Sequence, residues 1–119
     1  MTGSLQVPLQ IILRNMRHSD ALEAHIRQKA GKLEEFHPRI VSCRVTLEQV
    51  GKHQQQGRDF RVGIDIRLPG RPQVVVNHDH DEDPYVALRE AFATMARQLD
   101  EIAREQEAGG RAHATPLPD

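Results

Sequence analysis

Apolar and polar residues alternate over residues 5–14: Leu5, Val7, Leu9, Ile11 and Leu13 are apolar, with Gln6, Gln10 and Arg14 between them. A period of two predicts a strand with one buried face. Pro8 cannot donate to a ladder, which places this strand at a sheet edge or a bulge. The period then changes. Ser19 suits an N-cap and Asp20 the first turn of a helix, where the dipole favours an anion. Leu22, Ile26, Ala30 and Leu33 follow at helical spacing, with Phe36 closing the stripe. His37-Pro38 ends the helix, because the residue before proline is pushed out of the α region.

Val41, Cys43, Val45 and Leu47 alternate with Ser42, Arg44, Thr46 and Glu48, giving a second strand. A polar loop occupies 49–58. Phe60, Val62, Ile64, Ile66 and Leu68 mark a third strand, Pro69-Gly70 a turn, and residues 73–77 a short fourth strand. Asp83-Pro84 opens the last helix with an acidic cap and a proline where a missing N–H does no harm. Tyr85, Leu88, Phe92, Met95, Leu99 and Ile102 form its apolar stripe. Gly109-Gly110 is expected to stop it.

The predicted order is β-α-β-β-β-α, an α+β fold. Both helices carry one apolar stripe, so the economical packing is a four-stranded sheet with both helices on one face. Residues 1–107 are expected to form the single domain and 108–119 a flexible tail. Alternation turns Val41, Cys43, Val45, Leu47, Phe60, Val62, Ile64 and Ile66 towards the helices. It leaves Arg44, Arg61 and Arg67 on the open face.

Length and composition narrow the picture further. The 119 residues fit one domain. Aromatic residues make up only 3%, so the core must be aliphatic. Net charge is −1, but residues 1–71 hold 12 Lys/Arg against 7 Asp/Glu, and residues 72–119 hold 4 against 10. Such asymmetry can hide a basic face behind a neutral total. The single cysteine, Cys43, allows no internal disulfide and suits a reducing, cytoplasmic compartment. No apolar run approaches the ~18 residues of a membrane span, and no secretory signal pattern opens the chain.

The most conspicuous polar cluster is His78-Asp79-His80-Asp81-Glu82-Asp83. Two histidines at i and i+2 on a strand end would share a face, and carboxylates follow. No third ligand stands at a recognisable spacing, so a solvated loop whose acids favour the next helix is expected, with no metal. No nucleophile elbow, P-loop, dinucleotide fingerprint or zincin helix occurs. Cys43 is in phase with the buried face, as an inert thiol. The chain is therefore read as a non-enzyme without cofactor. On the first helix His25, Lys29 and Lys32 lie off the apolar stripe; on the last, so do Arg89, Arg97 and Arg104. Side by side on one sheet, two such helices would flank a groove with cations suited to a phosphate backbone.

Residues 5–105 resemble the ribosome hibernation factors, the group of hibernation promoting factor and ribosome-associated inhibitor also known as sigma factor modulation proteins. The resemblance is carried by Arg14-Asn15, Ser19-Asp20-Ala21-Leu22, Lys29-Ala30-Gly31-Lys32-Leu33-Glu34 and Arg39-Ile40. Leu68-Pro69-Gly70, Glu82-Asp83-Pro84-Tyr85-Val86-Ala87-Leu88 and Arg97-Gln98-Leu99 continue it, in order and at matching spacing. It implies a fold similar to double-stranded RNA-binding domains. It further implies a non-catalytic protein that binds the small ribosomal subunit in stress or stationary phase and blocks the mRNA and tRNA channel. The implied partner is ribosomal RNA, not DNA or membrane. The implied contacts are Arg14, His25, Lys29, Lys32, Arg89, Arg97 and Arg104. Long members add a C-terminal dimerisation domain, for which this sequence has no counterpart, so it looks like a short-type member. Thr94, Asp100 and Glu101 stand where Lys, neutral or basic residues are common, and Glu23 and Glu35 where basic residues are frequent. These departures keep open a second reading: a divergent paralogue acting as a protein-interaction or regulatory module with weak or no RNA binding.

Overall fold

The computed structural model describes residues 8–50 and 59–114. Its order is β1 (Leu9–Arg14), α1 (Asp20–Phe36), β2 (Ser42–Val50), β3 (Asp59–Arg67), β4 (Val74–Asp81) and α2 (Pro84–Ala114). The four strands form one sheet in the order β1-β2-β3-β4. β1 runs parallel to β2 across α1, and the other two pairings are antiparallel. Both helices pack on one face, as the paired stripes required. β1 is an edge strand, which accommodates Pro8. That proline still accepts through its carbonyl, from the Cys43 N–H at 3.1 Å. Leu5 and Val7, the loop residues 51–58 and residues 115–119 lie outside the described residues.

The inward positions of the sheet are Cys43, Val45, Leu47, Phe60, Val62, Ile64, Ile66, Val74 and Val76, all buried. Against them lie Leu22, Ile26, Ala30 and Leu33 of α1 and Ala87, Leu88, Ala91, Phe92, Met95 and Leu99 of α2. The core is aliphatic apart from two phenylalanines, as the low aromatic content demanded. Val41 departs from the expected alternation. It precedes β2 and is 49% exposed, and the neighbouring Ile40 is buried instead.

Local signals set the element ends. The Ser19 hydroxyl accepts from the Leu22 N–H at 3.2 Å and starts α1. The Asp83 carboxylate accepts from the Tyr85 N–H at 2.9 Å and starts α2. Asn15 holds φ 59°, a left-handed turn that asparagine tolerates better than most residues, and it leads the chain out of β1. Gly70, at φ 70°, makes the turn before β4.

Two boundaries differ from the sequence reading. α2 runs through Gly109-Gly110 to Ala114, so the two glycines do not stop it as expected. Glycine lowers helix propensity by about 1 kcal/mol but keeps its N–H; proline, which lacks one, first recurs at 116. β4 is longer than 73–77 and takes in His78 to Asp81. A β-bulge makes this possible: Val62 pairs with His78 and Phe60 with Asp81, so β4 spends an extra residue there.

Candidate nucleic-acid interface

α1 and α2 lie side by side, and two contacts fix their relation. The His25 and Tyr85 rings meet edge to face with centroids 4.9 Å apart. Further on, His37 Nε2 lies 3.3 Å from Asp100 Oδ1. The contacts come in the same order along both helices, so the helices run parallel over roughly 20 Å. Between them opens a groove of about 400 Å³, lined by Lys29, Lys32, Leu33, Phe36 and His37 of α1 and its cap. Arg89, Phe92, Ala93, Ala96 and Asp100 of α2 complete it.

The groove is apolar at its floor and cationic at its rim. Lys29 and Lys32 have no ion-pair partner among the described residues. Arg89 faces them from α2 and touches Glu90 at 3.5 Å. Asp100 is the opposing carboxylate within the groove. Arg97 and Arg104 are exposed. They follow Arg89 at steps of eight and seven residues, about 80° and 60° round the helix from it, and do not line the groove. Two amphipathic helices on one sheet face thus bring three of the predicted cations together at the groove, with Arg97 and Arg104 exposed farther along α2.

The other two predicted residues are placed differently. Arg14 lies on the open sheet face, in a shallow depression of about 210 Å³ over Gly63. It follows Leu9, Ile11 and Leu13 out of phase, so strand alternation turns it away from the helices. His25 does lie on the helix side, but its pKa is lowered, first by burial and then by Lys29. Its Nε2 is buried without a hydrogen-bond partner among the described residues. It therefore packs edge to face on Tyr85, where its charged form is disfavoured.

On the open sheet face two of the arginines, Arg44 and Arg61, are compensated. Arg61 reaches Asp79 at 3.1 Å and Glu48 at 3.5 Å. Arg44 reaches the Gln10 side chain at 3.3 Å and Asp65 at 3.9 Å. Such cross-strand pairs stabilise a sheet and leave little net potential for a polyanion. Arg44 and Arg61 of this face are accordingly structural partners of its carboxylates, whereas Arg14 and Arg67 are not among these pairs.

His78 to Asp81 form the end of β4 and not the expected loop, and Glu82-Asp83 lead from it into α2. The bulge brings Asp81 to the His78 side, Nε2 to Oδ2 3.3 Å, and sends Asp79 across to Arg61. Among the described residues no three His, Cys, Asp or Glu side chains converge to hold an ion. Cys43 is buried, and burial beside Asp65 pushes its thiol up to about 12. That thiol is no nucleophile near neutral pH.

Two groove residues escaped the sequence reading. Phe36 was expected to close the apolar stripe of α1, yet it is 73% exposed. The inward place falls to His37, four residues after Leu33, whose side chain is only 12% exposed. The spacing 22, 26, 30, 33, 37 already contained this. Hydrophobicity favoured the phenylalanine, but helical phase decided for the histidine.

Comparison with known proteins completes the description. A family model described as Sigma 54 modulation protein / S30EA ribosomal protein matches residues 9–107. A solved structure of a ribosomal subunit interface protein from Coxiella burnetii is similar with a TM-score of 0.70 at 15% identity, covering 82% of this chain and 99% of that one. The N-terminal domain of Protein Y from Thermus thermophilus is similar with a TM-score of 0.66 at 23% identity, with the same coverage. No curated protein matches. At these identities the two structures establish a shared fold, and the family match adds descent.

Proposed function

The chain belongs to the Sigma 54 modulation protein / S30EA ribosomal protein family, and from that premise we propose that it binds the small ribosomal subunit and silences translation by occupying the mRNA and tRNA channel. The family is a ribosome-associated one. A protein of similar fold is described as a ribosomal subunit interface protein, which suits the same location here. Action is by occupancy, without catalysis or cofactor, in the cytoplasm and under stress or stationary-phase conditions.

The observation that carries this reading is the asymmetry between the two faces. Of the sheet-face arginines that line the depression over Gly63, Arg44 is spent on Asp65 and Arg61 on Glu48 and Asp79. Lys29 and Lys32 are not spent, and Arg89, Arg97 and Arg104 extend their field along α2. Unspent cations beside a groove release counterions when phosphates replace them, which supplies affinity without sequence preference. Arg14, from the other face, is left a minor role at the margin of the contact, and His25 a packing role.

The proposal is tested by displacement. Purified protein added to small subunits loaded with mRNA and tRNA is expected to release the tRNA in proportion to the protein bound. Binding without release would place it elsewhere on the subunit. The interaction-module alternative predicts no ribosome binding at low salt and a partner on the open sheet face.

A further inference from the structure

We propose that Phe36 is a stacking platform for one unpaired RNA base, so that the helix groove recognises an unpaired nucleotide rather than a uniform duplex. This rests on the ribosome-binding reading and goes beyond its electrostatics. Lys29, Lys32 and Phe36 follow one another at i, i+3 and i+7, one row roughly 10 Å long on α1. The phenyl ring is 73% exposed. It gives nothing to the core, because His37 takes the inward position beside it. An isolated exposed phenylalanine is ordinary. This one continues an apolar floor of Leu33, Phe92, Ala93 and Ala96 and stands at the end of a lysine row.

That combination matches one chemistry closely. A nucleotide with its base splayed out offers a π-face to the ring and a phosphate to the lysines. A regular duplex offers the phosphates but keeps its bases stacked, so Phe36 would remain in water. An acidic peptide would satisfy the lysines but leave Phe36 and the apolar floor without a matching face. The residues that line the groove hold three cations, Lys29, Lys32 and Arg89, to one carboxylate, Asp100, and this favours a polyanion that brings its own apolar face.

The test uses purified small ribosomal subunits, with Phe36→Ala, Phe36→Leu and Phe36→Trp in the full chain. Phe36→Ala is expected to weaken binding about tenfold at every salt concentration, since stacking displaces no counterion. Phe36→Leu should weaken it similarly, because the contact needs a π-face and not merely carbon. Phe36→Trp should bind at least as well as the wild type. The protein has no other tryptophan, so the indole fluorescence reports the site alone, and it should be quenched on binding. Thermal stability should be unchanged in all three. Wild-type binding by both Phe36→Ala and Phe36→Leu would overturn the proposal; if Lys29→Ala and Lys32→Ala still weakened binding, the ribosome reading would survive it. Phe36→Leu binding normally while Phe36→Ala did not, with no indole quenching, would make the contact an aliphatic one with ribosomal protein and equally overturn it. A wild type that bound no subunits at any salt would defeat both.

Discussion

His37 at the end of α1 and Asp100 on α2 are joined, Nε2 to Oδ1, at 3.3 Å. This link closes one end of the helix groove, and the His25–Tyr85 contact joins the same two helices nearer their N-termini. It also sets a carboxylate against the phosphate side of the proposed interface. Asp100 is more than half exposed, so the pair itself contributes little to stability.

Asp100→Asn separates these roles. It keeps the shape and a hydrogen-bond acceptor but removes the charge. Thermal unfolding should shift by less than ~0.5 kcal/mol. Ribosome affinity at low salt should rise severalfold, because a like charge leaves the phosphate path. Unchanged or weaker binding would show that the groove does not meet phosphate at that end.

Much of this was legible in the sequence. The alternating runs and the two apolar stripes gave four strands, two helices and a one-sided sheet, because burial on one face imposes its period on the residues. Ser19 and Asp83 marked the helix starts for the same local reason. The site was less legible. Helical spacing put Lys29, Lys32, Arg89, Arg97 and Arg104 off the apolar stripes, but it could not say which cations are neutralised by neighbours distant in sequence. Arg61 with Glu48 and Asp79 is such a case. Nor could it foresee the bulge that turns Asp81 towards His78, since a bulge depends on how two strands are paired.

His25 supplies a pH prediction with a definite sign. Its folded pKa lies below the ordinary 6.5, so the unfolded chain binds a proton more readily. Stability should therefore fall as pH drops through 6.5 and below. His18, whose pKa is raised by Asp20 and Glu23, works in the opposite sense. The comparison must accordingly be made against a variant. Between pH 7.5 and 5.5, denaturant unfolding of His25→Gln should lose less stability than the wild type; an equal loss would place the titration elsewhere.

Cys43 gives the alkaline counterpart. Its thiol is held protonated up to about 12 in the fold, against 9.0 ordinarily. Stability linked to it is complete below pH 9 and falls as pH rises towards 12, by up to ~1.4 kcal/mol per pH unit. Cys43→Ala should lose that share of the alkaline slope, despite a lower stability at pH 7 from the lost volume. The native thiol should also resist alkylation at pH 8 and react at once when the protein is unfolded.

The most direct test of ribosome binding through the helix groove is co-sedimentation with small ribosomal subunits across a salt series. The wild type and a Lys29→Ala/Lys32→Ala/Arg89→Ala variant would be compared, with Arg67→Ala as a control on the other face. The wild type should pellet at low salt, with log affinity falling linearly against log salt. The triple variant should bind more weakly, with a slope shallower by about 2, and Arg67→Ala should follow the wild type. A triple variant that pelleted with wild-type affinity and slope, or a wild type that did not pellet even at low salt, would contradict the account.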